Sequence, residues 1–121
     1  MALSCHLNVA ACQLKLKEYS AVLESTGHAL KIDEHNVKAM FRRAQALIQL
    51  HRWDEADELL AAAVRLEPNN TAVREEIHQM KLRRQEHAAK ERSQFSAVFD
   101  KLADQEANER KKRLQQQQLS K

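Results

Sequence analysis

Lys38 and Arg42 stand four residues apart in NVKAMFRRAQAL, so a helix through them would hold two cations on one face. Asn8, in LNVAACQLKL, lies 34 residues before Arg42. An amide can donate to and accept from a peptide backbone, while arginine offers a planar fork and lysine a point charge. Brought together, the three could receive an extended peptide that carries carboxylates. Each charge-assisted hydrogen bond would contribute about 1.5–3 kcal/mol. A few of them imply micromolar affinity that weakens with salt. The competing reading is that Lys38 and Arg42 are solvated helix charges. Arg43, the next residue, would point about 100° away and is assigned a structural or peripheral part.

Other chemistry finds little support. The six histidines, His6, His28, His35, His51, His78 and His87, are spread over different segments. Cys5, His6 and Cys12 are poor metal ligands, because adjacent residues diverge on a helix and no fourth ligand is near. Gly27 is the single glycine, which excludes a glycine-rich phosphate loop and a nucleophile elbow. The residues therefore point away from catalysis, cofactors and metals and toward binding.

What could bring residues 8 and 42 together is a repeat. Leu7 through Glu34 aligns on Phe41 through Pro68 at a spacing of 34 residues. Ala10 falls on Ala44, Cys12 on Ala46, Leu14 on Ile48, Tyr19 on Trp53, Ala29 on Ala63 and Asn36 on Asn70. A 34-residue period with helical spacing is the signature of the tetratricopeptide repeat (TPR). The fold class expected is all-α: TPR helical hairpins forming an α-solenoid, with a long C-terminal helix. Hairpins are placed at about 2–34 and 36–68, within a repeat region 2–70. Their helices run from about Ala2 to Leu16, Tyr19 to Lys31, Asn36 to Leu50, and from Trp53 to before Pro68. Asn36 and Asn70 serve as N-caps, and Pro68 stops the fourth helix. Alanines let paired helices approach, and Tyr19 and Trp53 fill the gaps between hairpins. Gly27 sits inside a helix at a cost of about 1 kcal/mol, and close packing is the expected reason.

A breaker-free segment, 71–113, should form one capping and extension helix, with 114–121 a disordered glutamine-rich tail. Val73, Ile77 and Met80 make one stripe that can cover the second repeat. A second stripe, Phe95, Val98, Phe99 and Leu102, follows the polar KLRRQEHAAKER. Arg83, Arg84, Lys90 and Arg92 beside those apolar residues give this helix the character of a calmodulin-binding segment. A charged helix that solvates the end of the stack, or a self-association surface, would look the same.

Composition agrees with helices and sets further bounds. Charged residues reach 31% in 121 residues, with one glycine and one proline. Residues 1–70 carry eight basic and nine acidic side chains, whereas 71–121 carry twelve and eight. The mixed signs and few aromatics argue against nucleic acid. No apolar run approaches the roughly 18 residues of a membrane span, and the start lacks the form of a secretory signal. Cys5 and Cys12 would be about 10 Å apart along a helix, too far to bridge. They read as small packing residues in a reducing compartment.

LNVAACQLKL, NVKAMFRRAQAL and the basic helix ending in FSAVFDKL together resemble the carboxy-terminal repeat domain of large immunophilins, the FKBP-type and cyclophilin-type prolyl isomerases. The resemblance covers about residues 3–102. It implies a cytoplasmic, also nuclear, co-chaperone. The family's two-carboxylate clamp grips the Met-Glu-Glu-Val-Asp tail of heat-shock protein 90, or the similar tail of heat-shock protein 70. By motif position, Asn8, Lys38 and Arg42 match clamp members of its second and third repeats. A calmodulin site has been proposed for the region matching the basic helix. The clamp lysine and asparagine of a first repeat, and the isomerase domain, have no counterpart in this sequence. The resemblance thus implies no isomerase activity in this chain, and leaves a face of the first helix that a longer chain, or self-association, would cover.

Overall fold

The computed structural model describes residues 2–119. Among these it contains five helices: α1 (Ala2–Lys15), α2 (Tyr19–Ile32), α3 (Val37–Gln49), α4 (Trp53–Leu66) and α5 (Thr71–Leu119). The chain divides into two compact units, Met1–Arg84 and Gln85–Lys121. In the first, α1 pairs with α2 and α3 with α4, while α3 also packs on both helices of the preceding hairpin. The all-α hairpin stack expected from the 34-residue period is therefore the architecture.

Two devices recur at equivalent places. Asn36 Oδ1 accepts from the Ala39 amide at 2.9 Å, and Asn70 Oδ1 from the Val73 amide at 3.2 Å. Each satisfies an otherwise unpaired amide at a helix start, a contribution of about 1 kcal/mol. The second device was not legible in the residue types. Lys17 and His51, one repeat apart, both adopt left-handed backbone, with φ of 61° and 60°. Glu18 N–H reaches Gln13 O and Arg52 N–H reaches Leu47 O, each at 2.9 Å. This is the Schellman closure, usually built on glycine. A Cβ in that conformation costs roughly 1–2 kcal/mol, which the repeated register of the hairpins must offset.

The core of the first unit is one large cluster and one small one. Ala44, Leu47, Ile48, Ala56, Leu60, Ala63, Val73 and Met80 form the large cluster, with Trp53 and Ile77 packed against it. Ala10, Val22 and Ala46 form the small one, with Tyr19 beside them. Residues at the alanine positions 10, 29, 44, 46, 56 and 63 are wholly inaccessible. Their missing side-chain bulk lets backbones approach, and Leu47 and Leu60 fill what remains. Burying each such leucine stabilises the fold by about 1.5–3 kcal/mol.

Three expectations need correction. A Cβ added at Gly27 would meet Arg43 Nη1 at 3.5 Å, ordinary contact, so packing does not demand the glycine. Cys5 and Cys12 are exposed rather than packed. Their counterparts one repeat later, Ala39 and Ala46, are fully buried. Ala46 packs with Ala10 and Val22 of the preceding hairpin, and no described hairpin stands in that relation to α1. Val9 and Leu16, on the same face as the two thiols, are 46% and 68% exposed. Finally, α5 continues past Arg113 to Leu119. Glutamine and leucine are good helix formers, and no glycine or proline interrupts them. The last residues of the expected tail, 120 and 121, lie outside the described residues.

Candidate functional site

Lys38 and Arg42 project from α3 into a cavity of about 550 Å³. Phe41 and Gln45 of α3, with Ala72 and Val73 of α5, complete its facing walls. Asp33 and Glu67, which open the loops leading to the two asparagine caps, bring carboxylates to its rim. These acids stand one repeat apart, and each side chain accepts from its cap asparagine at 3.3 Å. The cavity is thus mixed in sign, with two carboxylates one repeat apart beside the two cations.

The two cations are held differently. Lys38 is exposed and makes no ion pair or side-chain hydrogen bond among the described residues. Arg42 is half-buried, and its Nη1 donates to the Leu7 carbonyl of α1 at 2.7 Å. One arm of its fork therefore ties the two hairpins together, leaving the other N–H groups for the cavity. Asn8 is exposed on α1 immediately after Leu7. It does not line the cavity, so the structure groups Lys38 with Arg42 and leaves Asn8 outside their walls. Arg43 is structural, as its direction suggested: Nη1 donates to the Leu23 carbonyl of α2 at 2.6 Å.

Glu76 extends the α5 wall one turn beyond Ala72 and Val73. It is half-buried, and burial raises its carboxyl above the ordinary range. Arg83 and a hydrogen bond with the Gln45 side chain act in the opposite sense, and Glu75 adds a smaller push upward. The folded state thus keeps this proton to higher pH than the unfolded state does. Ionised Glu76 penalises the fold at neutral pH, and the penalty fades as pH falls through the folded pKa toward the unfolded one.

Elsewhere, Arg84 Nη2 pairs with Asp54 Oδ1 of α4 at 3.0 Å, so it serves the first unit's own packing. Both partners are exposed, which limits the pair to a few tenths of a kcal/mol. In the second unit, Lys90 and Arg92 are exposed. Phe95, Val98, Phe99 and Leu102 are each more than half exposed. The Phe95 and Phe99 rings meet at 5.2 Å. His6 and His28, far apart in sequence, stack across α1 and α2 with ring centroids 5.1 Å apart. No group of three ligating side chains that could hold a metal occurs among the described residues.

The tetratricopeptide-repeat family model matches residues 13–75. The chain belongs to that family. It is homologous to the repeat region of FKBP4, a peptidyl-prolyl cis-trans isomerase. Identity with FKBP4 of Homo sapiens is 35% over 108 residues, and with that of Mus musculus 33% over 106. Those alignments cover 88% of this chain but 23% of each relative. Among solved structures, the Hsp90 co-chaperone Cns1 from Saccharomyces cerevisiae superposes with a TM-score of 0.73 at 32% identity. The match covers 83% of this chain and 32% of Cns1. The C-terminal TPR-containing domain of an FK506-binding protein from Plasmodium falciparum gives 0.67 at 33% identity. There the shares covered are 73% and 58%. This TPR chain is therefore a protein-interaction module related to Hsp90 co-chaperones.

Proposed function

We propose that this chain is a non-catalytic co-chaperone module that binds the acidic C-terminal tail of heat-shock protein 90 or 70. The observation that carries the reading is Lys38 beside Arg42 on one cavity wall, with the lysine unpaired. A terminal carboxylate can take a charge-assisted bond from each cation, while Phe41 and Ala72 offer apolar contact to the side chain that enters the cavity. Asn8 would hold the peptide backbone where the ligand leaves the cavity toward α1. The kinship with FKBP4 and Cns1 supports this ligand class. Calorimetric titration with the peptide Met-Glu-Glu-Val-Asp tests it. The free acid should bind at micromolar level and lose affinity as salt rises. Equal binding by the C-terminally amidated peptide, or no binding of the free acid, overturns the proposal.

The bare stripe Phe95, Val98, Phe99 and Leu102, preceded by Lys90 and Arg92, favours a second reading in which the later part of α5 takes a calmodulin-like partner. Calcium-dependent retention on calmodulin, lost when Phe95 and Phe99 are both alanine, would support it. Retention that ignores calcium or survives the double substitution removes it.

A further inference from the structure

Gln45 and Glu76 lie together at one end of the groove, each one helical turn beyond residues that line the cavity. On α3, Gln45 follows Phe41 by four residues and Arg42 by three. On α5, Glu76 follows Ala72 by four and Val73 by three. That spacing keeps both on the groove-facing side of their helices, and the Gln45 side chain lies near enough to Glu76 to favour its ionised carboxylate. Gln45 itself lines the cavity. Lys38 and Arg42 thus stand toward the start of α3 with the rim acids Asp33 and Glu67, and a further, half-buried carboxyl lies beyond Gln45.

We infer that Glu76 is a specificity-determining residue of this groove. Its carboxylate disfavours an acidic ligand side chain beside Gln45 and favours a cation or hydrogen-bond donor there. The inference rests on the peptide-binding reading above and adds a rule of selection to it. The two cations, with Asp33 and Glu67 only at the rim, would accept carboxylates at several points of a flexible acidic peptide, in several registers. A fixed negative charge at one end removes registers that place an acid against it, because like charges brought close in a partly desolvated site repel strongly. Arg83 on α5 offsets part of that field and Glu75 reinforces it. Gln45, which lines the cavity beside Glu76, presents its side-chain amide to the peptide.

The test uses the full chain and its Glu76→Gln variant, which keeps side-chain shape and removes the charge. Three free-acid peptides are titrated: Met-Glu-Glu-Val-Asp, Met-Lys-Glu-Val-Asp and Met-Glu-Lys-Val-Asp. Wild type should prefer one lysine peptide over its acidic parent. The variant should bind the acidic parent about threefold to tenfold more tightly than wild type does, as expected for one like charge at groove distance. It should also lose the preference for lysine. The same ranking and affinities in both proteins overturn the role of Glu76 while leaving the clamp intact. If no free-acid peptide binds either protein, the groove reading fails and this inference falls with it. Thermal unfolding followed by circular dichroism shows that the variant is folded. Its melting temperature at neutral pH should match or exceed that of wild type, since the buried ionised carboxylate is gone.

Discussion

Replacing Leu60 with alanine should cost about 2–5 kcal/mol, the usual loss for a large buried aliphatic side chain. Leu60 is wholly inaccessible and joins the cluster that holds Leu47 of α3, Ala63 of α4 and Val73 with Met80 of α5. Its removal leaves a cavity where three helices meet, and alanines around it have no bulk with which to refill the space. A domain of ordinary stability has about 5–15 kcal/mol to lose, so the loss is a large share of the total and the variant should melt at a clearly lower temperature. Leu59, next in sequence but only partly buried, should cost far less. Urea denaturation followed by helix ellipticity separates the two. An unfolding free energy for Leu60→Ala within about 1 kcal/mol of wild type would show that the cluster is not the fold's centre.

The second large effect divides Lys38 from Arg42. Lys38→Ala should weaken a free-acid peptide about tenfold to a hundredfold, equivalent to about 1.5–3 kcal/mol, with no change in melting temperature. The exposed ammonium supports nothing else in the fold. Arg42→Ala should weaken the peptide similarly and also destabilise the chain by about 1 kcal/mol, because the bond to the Leu7 carbonyl is lost. Arg42→Lys is the sharper variant. A single ammonium cannot hold the Leu7 carbonyl and a ligand carboxylate in the geometry that a fork allows, so it should recover less than half of the lost binding energy. Calorimetry for the peptide and a thermal melt for the protein read the two outcomes. Equal melting temperatures for Lys38→Ala and Arg42→Ala would remove the tie between hairpins from the account.

The hairpins were legible because their positions are constrained twice, by helical period and by the 34-residue repeat. Ala10, Ala44 and Trp53 declared themselves through their counterparts, and the cap asparagines through their place before each helix. Lys38 with Arg42 followed from the same frame, since residues four apart share a face whatever surrounds them. What stayed hidden depended on contacts with no local signature. Arg42's bond to Leu7 crosses 35 positions and ends on a backbone carbonyl, to which sequence is blind. Glu76 looks like any helix glutamate until burial and Gln45 are seen together. The thiols misled for the opposite reason: the repeat frame marks positions 5 and 12 as buried, but burial there comes from a neighbour before α1, and α1 is the first described helix. Lys17 and His51 show that a left-handed turn need not carry the glycine that would have announced it.

That bare side of α1 bears on how the helix is held in the stack. Each hairpin in such an array draws strength from the neighbours on either side of it. α3 is gripped from both directions, whereas α1 leans on α2 and α3 alone. Among the described helices, α1 keeps Val9 and Leu16 in water, and that side adds nothing to its hold on the stack. Arg42 then does a second job. By clasping Leu7 with one arm of its fork it braces the helix that carries Asn8, while its remaining N–H groups stay turned to the cavity.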